Sequence, residues 1–228
     1  MNWTIKTALN GLRELADPEV KNGLSRFGIP ADQAIGVKIP QIKQLAKTIG
    51  KNHSLAVTLW EQPVHEAKLL AIYLADPQKT DPELMDKWVA DFYSWDICDQ
   101  ACGELFDKTT HVWAQIAKWS TDKREFVKRA AFSLIAESAV HLKTADDQHF
   151  IECLPVIKNA ANDDRKLVKK AVNWALRQIG KRNKTLHQHA LECAEEIART
   201  ESKNARWIAN NAIQELNSEK IRIALNRR

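Results

Sequence analysis

Five segments of this chain align without gaps, and the alignment constrains its fold more than any single motif does. They are "AKLLAIYLA" from Ala67, "ICDQACGEL" from Ile97, "VKRAAFSLI" from Val127, "VKKAVNWAL" from Val168 and "IANNAIQEL" from Ile208. Their starts lie 30, 30, 41 and 40 residues apart. The first column is apolar throughout. The fifth reads Ala71, Ala101, Ala131, Val172 and Ala212, small side chains that let neighbouring helices approach closely.

Other amphipathic stretches lie between or beside these segments: "DPELMDKWVADFY" (81–93), "HVWAQIAKWS" (111–120) and "DQHFIECLPVIKNAA" (147–161). Helix pairs repeated at this period predict an all-α chain, an α-solenoid of the HEAT-like kind in which one helix of each pair lines a concave side. Only 7 Gly and 7 Pro in 228 residues leave little to interrupt the helices. "GIPADQAIGVKIP" (28–40) is the clear irregular connection, and "ESAVHLKTADDQHF" reads as an extra turn plus a loop filling the longer gap before Val168. No linker is poor enough in apolar residues to divide the chain, so a single domain over 1–228 is expected.

Thirty-four Lys and Arg against 29 Asp and Glu give +5, which suits a polyanionic partner without the excess of a histone-like protein. From Arg165 to Lys184, eight basic residues (165, 166, 169, 170, 177, 181, 182, 184) occur with no acid among them, either a solvated helix face or a binding stripe. Cys98, Cys102, Cys153 and Cys193 form no CxxC and read as small core residues of a reducing compartment. Neither these nor the seven histidines make a metal-ligand pattern, and no Gly-rich nucleotide loop is present, so no metal or cofactor is expected. The start lacks the apolar core of a signal peptide and no apolar run approaches a membrane span, which predicts a cytoplasmic protein without membrane association.

The third column of the alignment is the odd one: Leu69, Asp99, Arg129, Lys170 and Asn210, polar in four of five places between packing positions. It should point along one shared surface. Trp95 lies one turn before Asp99 and Trp174 one turn after Lys170, so both indoles join it, with Arg177 at the edge. Indoles stack on bases and attract cations, and guanidinium and ammonium groups hold phosphates. A carboxylate among them would repel DNA unless it stabilises positive charge, such as that developing on a sugar as a glycosidic bond breaks. The bland alternatives are that the tryptophans are core residues and that Asp99 and Arg129 form a structural ion pair.

Taken in order, "LSRFGIP", "GVKIPQIKQLAK", "LWEQPVHEAKLLAI", "SWDICDQ", "REFVKRAAF" and "KKAVNWALRQIGKRN" resemble the AlkD-like DNA alkylation repair proteins, HEAT-like repeat DNA glycosylases, over nearly the whole chain. The resemblance implies that Asp99 is the catalytic aspartate, that Trp95 and Trp174 wall an aromatic cleft, and that Arg129 contacts DNA backbone with Arg177 nearby. Phe27 stands where some relatives carry a tyrosine, which removes a hydroxyl. Lys170 and Lys181 complete the expected DNA-binding set.

The implied substrates are cationic N3- or N7-alkylated purines in double-stranded DNA. Such a base leaves without being protonated, so Asp99 needs no general acid beside it, and the lesion stays in the stack instead of entering a deep pocket. About five neutralised phosphates would give a salt slope of roughly −4 to −5 with little sequence preference. The protein is expected to act as a monomer. Two rivals stay open: a non-catalytic HEAT-like protein that binds DNA structures, and a HEAT-like scaffold for protein partners.

Overall fold

Short polar residues close the loops and open the helices. Asp17, Asn52, Asp81, Asp146, Asn183 and Ser202 each accept a backbone N–H from the first turn that follows, satisfying donors with no partner inside the helix. Pro18 and Pro82 stand at the first helical position, where their missing N–H costs nothing. The computed structural model describes residues 3–227, all helix and connection with no strand among them. They divide into two compact units, Met1–Thr110 and His111–Arg228.

The first unit contains α1 (Ile5–Glu14), α2 (Pro18–Gly23), α3 (Ile39–Ile49), α4 (His53–Trp60), α5 (His65–Leu74), α6 (Pro82–Ala90) and α7 (Trp95–Glu104), with short 3-10 turns at Leu24–Phe27, Pro77–Lys79 and Phe106–Lys108. Helices α3, α5 and α7 lie side by side, and α4 folds back on α5. Trp60 of α4 stacks on Trp88 of α6 with centroids 4.2 Å apart and planes 3° from parallel. Both are core residues, and the Trp60 indole N–H is satisfied by Asp91 at 3.0 Å.

In the second unit, α8 (Val112–Trp119) pairs with α9 (Glu125–His141), α10 (Asp147–Ala160) with α11 (Lys166–Gly180), and α12 (Lys184–Ala198) with α13 (Lys203–Leu216); α14 (Glu219–Asn226) follows. Helix α11 packs against both α9 and α13, so the second members of the three pairs form one layer. The longer gap before Val168 is accounted for by α9 and α10, of 17 and 14 residues where α7 and α8 have 10 and 8.

The repeat columns translate directly into packing. Every first-column and fifth-column residue is buried, from Ala67 and Ala71 through Ile208 and Ala212. The third column is less uniform than its polarity implies. Lys170 and Asn210 are exposed and Asp99 is half-buried, but Leu69 and Arg129 are covered. Leucine gains by burial, and the arginine buries its stem while its head finds a carbonyl. All four cysteines are free and buried.

Candidate functional site

In the first unit, α7 opens with Trp95 and carries Asp99 one turn later on the same side. Ile97, Cys98, Ala101 and Cys102 are buried on the other sides, while Trp95 and Asp99 are each half-exposed at the helix margin. The Trp95 indole N–H donates to the backbone carbonyl of Phe27 at 2.9 Å. Phe27 itself is 68% exposed, which for a phenylalanine means an apolar ring offered to solvent. The structure thus ties the backbone of Phe27 to Trp95, on the helix whose next turn bears Asp99.

The neighbouring acid, Asp96, has a different role. His65 Nε2 donates to its Oδ2 at 2.8 Å, Ser94 Oγ donates to Oδ1, and His65 Nδ1 shares a hydrogen bond with the Tyr93 hydroxyl at 3.0 Å. Burial would raise the Asp96 pKa, but the hydrogen bonds and charge of His65, the Ser94 hydroxyl and the Ile97 N–H outweigh it and hold the carboxylate below its ordinary range. Burial, then the charges of Asp96 and Glu66, push the Tyr93 phenol up, so it remains a neutral donor. Asp96 is the pin that fixes the start of α7 to the start of α5.

Next to His65, Glu66 performs the matching task on the irregular loop. Its carboxylate is 1% exposed and accepts the N–H groups of Ile35, Gly36 and Val37 at 3.0, 2.7 and 3.1 Å. Gly36 has φ of +89°, and a Cβ there would lie 2.2 Å from the Asp17 carbonyl oxygen. Two consecutive residues of α5 therefore set the loop that follows Phe27 and the helix that carries Trp95. Sequence reasoning passed over both. The signal for His65 lies in no local spacing, because its partner is 31 residues away.

In the second unit, Lys166, Lys170, Trp174, Arg177 and Lys181 fall within roughly 80° of arc on α11. Val168, Val172, Ala175, Leu176 and Ile179 bury the opposite side completely. Lys170 is exposed and Trp174 half-buried on the stripe. Arg177 and Lys181, however, both reach Glu215 of α13, Lys181 at 2.9 Å. Burial would raise the Glu215 pKa, yet these two cations hold it below the ordinary range. Arg129 is only 5% exposed and donates to the Leu167 carbonyl at 2.8 Å, tying α9 to the first turn of α11.

The acid-free run from Arg165 to Lys184 is consequently less positive in space than in sequence. Arg165 is bound to Asp163, Lys169 to Asn204 with its ammonium 5.0 Å from the Trp207 ring centre, and Arg177 and Lys181 to Glu215. Arg182 donates to the carbonyls of Ala139, Leu142, Lys143 and Ala145. Lys166, Lys170 and Lys184 are the exposed members. Among the described residues no group of three His, Cys, Asp or Glu side chains is placed to hold a metal ion, and no helix is long and apolar enough to cross a membrane.

A family model described as DNA alkylation repair enzyme matches residues 8–216. The chain belongs to that family. Over 192 residues it is 22% identical to the uncharacterized protein Lin0241 of Listeria innocua, spanning 82% of this chain and 84% of the relative. Among solved structures it is similar to a member of a family related to the HEAT-like repeat DNA glycosylases with affinity for branched DNA structures. That likeness has a TM-score of 0.81 at 20% identity and covers 98% of this chain and 96% of the other. The DNA alkylation repair fold is therefore an all-helical, HEAT-like repeat here, as the five aligned segments predicted.

Proposed function

We propose that this member of the DNA alkylation repair family is a glycosylase that hydrolyses the N-glycosidic bond of cationic N3- or N7-alkylated purines in double-stranded DNA. Asp99 stabilises the positive charge that develops on the sugar and orients the attacking water. Trp95 and Phe27 supply aromatic surface to the lesion in the first unit, and Trp174 on α11 offers a stacking surface for DNA in the second. Lys170 provides phosphate attraction, supplemented by the net single charge of the Arg177–Lys181–Glu215 cluster. Arg129, being covered, serves the reading better by fixing α11 than by presenting a wide surface to phosphate. The protein acts as a monomer in the cytoplasm, a reducing compartment that four free thiols suit.

The observation carrying this reading is the pairing of a half-exposed carboxylate and a half-exposed indole one turn apart on α7, with the Phe27 carbonyl hydrogen-bonded to that indole. The adjacent Asp96 is already committed to His65 and Ser94, so it does not compete for the role. Base release from duplex containing N7-methylguanine tests the assignment. Asp99→Asn should lose release by at least about 100-fold, the scale seen on removing an electrostatic stabiliser, while keeping its thermal transition and its affinity for the duplex. Release at the wild-type rate by the variant would remove Asp99 from the mechanism.

A second reading is a DNA-structure binder without excision, as suggested by the branched-DNA affinity described for the similar structural family. Pairing of Arg177 and Lys181 with Glu215 favours it to the extent that it leaves fewer cations for an ordinary duplex. Wild-type protein that binds a four-way junction more tightly than duplex and releases no methylated base would establish this reading over the first. A protein scaffold would show no salt-dependent affinity for either DNA.

A further inference from the structure

Helix α3 and the second residue after it carry Lys43, Lys47 and Lys51, spaced four apart. These three, with Ala46, Gly50 and Tyr73, line one surface concavity of about 350 Å³. A water takes roughly 30 Å³ of liquid, so the space holds a phosphate group with several waters. Gly50 makes the convergence possible: with φ of +79° it turns the chain out of α3 so that Lys51 stands beside the lysines of the helix it has just left.

The charges there do not balance. Glu104 reaches the cluster, 2.6 Å from the Lys43 ammonium and 3.5 Å from that of Lys108, and the charge of Asp76 acts on Lys51. Four lysines therefore face two carboxylates. Lys47 is exposed and has no ion-pair partner among the described residues. Lys51 donates to the carbonyls of Tyr73 and Ala75 at 3.1 and 2.7 Å, which uses two of its three N–H donors and fixes its head at the negative end of α5. Burial, then the charge of Lys108, lowers the Lys51 pKa against the opposing charges of Asp76 and Glu104. Tyr73 forms an aromatic wall, its hydroxyl bonded to Gln100 and its ring centre 5.4 Å from the Lys43 ammonium.

Like charges one turn apart destabilise a helix by roughly 0.2–0.5 kcal/mol per pair. Three cations drawn to one concavity form a place for an oxyanion, and a singly or doubly charged phosphate group is the chemistry that uses ammonium donors and an uncharged aromatic wall together. Gln100 and Glu104 follow Asp99 on α7, so the concavity abuts the same helix that carries the candidate acid, about a turn further along. We infer that this concavity is a phosphate-group site, occupied by a backbone phosphate of bound DNA flanking the lesion. The inference rests on the DNA-binding part of the reading above and is independent of whether a base is excised.

The test uses unmodified duplex, so that a failure of excision cannot affect it. Fluorescence anisotropy at several salt concentrations compares wild type, Lys47→Gln, Lys47→Arg and, as a control on a lysine paired with Glu61, Lys87→Gln. Loss of one phosphate contact should reduce the salt slope by about 1 and weaken binding roughly eightfold in 0.1 M salt for Lys47→Gln alone, with Lys47→Arg near wild type. Amide NMR shifts of Lys47, Gly50 and Lys51 on titration with inorganic phosphate form the second arm. Shifts lost in Lys47→Gln, with DNA binding unchanged, would assign the site to a free phosphate compound. A slope and affinity unchanged in Lys47→Gln together with silent amides, or an equal loss in Lys87→Gln, would overturn the site.

Discussion

Trp95 and Phe27, 68 residues apart in the chain, are joined by a hydrogen bond from the indole N–H to a main-chain carbonyl at 2.9 Å. The bond uses the backbone of Phe27 and leaves its ring outward. Trp95→Phe should therefore cost about 1 kcal/mol in urea unfolding, whereas Phe27→Ala should change stability by less than about 0.5 kcal/mol. A larger loss for Phe27→Ala would mean that its ring packs in solution.

The loop held by Glu66 depends on Gly36. An alanine there meets both a left-handed backbone and the Asp17 carbonyl oxygen at 2.2 Å. We expect Gly36→Ala to lose at least about 2 kcal/mol, read as a lower urea midpoint. Gly23→Ala, where nothing lies within 4 Å of the added carbon, is the control and should stay within about 1 kcal/mol of wild type.

Asp96 makes the stability of the first unit sensitive to acid. Its folded pKa lies below the ordinary value of 3.8, so its contribution is complete above that value and is lost as pH falls through the lowered one. In thermal melts from roughly pH 6 to pH 2, the gap between wild type and Asp96→Asn should be constant near neutrality and close on the acid side. A gap that widens toward low pH would contradict the sign of the shift.

Glu215 holds two cations of the α11 stripe, and removing its charge releases them. Glu215→Gln should bind duplex more tightly at low salt and steepen the salt slope by about 1. Anisotropy titrations at 50 and 200 mM salt would read this directly. An unchanged slope would place Arg177 and Lys181 away from the DNA.

The helices were legible because their signals are local. A small residue four places after an apolar one recurs in each segment, and α5, α7, α9, α11 and α13 bury both columns. Trp95 and Phe27 were each named through resemblance, and the hydrogen bond that joins them was not legible. The ion pairs were not legible at all: Glu215 lies 38 residues from Arg177, and Glu66 some 30 residues from the N–H groups it accepts, separations that no helical period encodes. That is why a run of eight basic residues read as a stripe when five of them already have partners in the fold.

The parallel indoles of Trp60 and Trp88, 4.2 Å apart, have a practical consequence. Two identical chromophores so close and so nearly parallel couple electronically, and that coupling is lost when the rings separate. The protein thus supplies an intrinsic optical gauge of its N-terminal half, usable without any label attached.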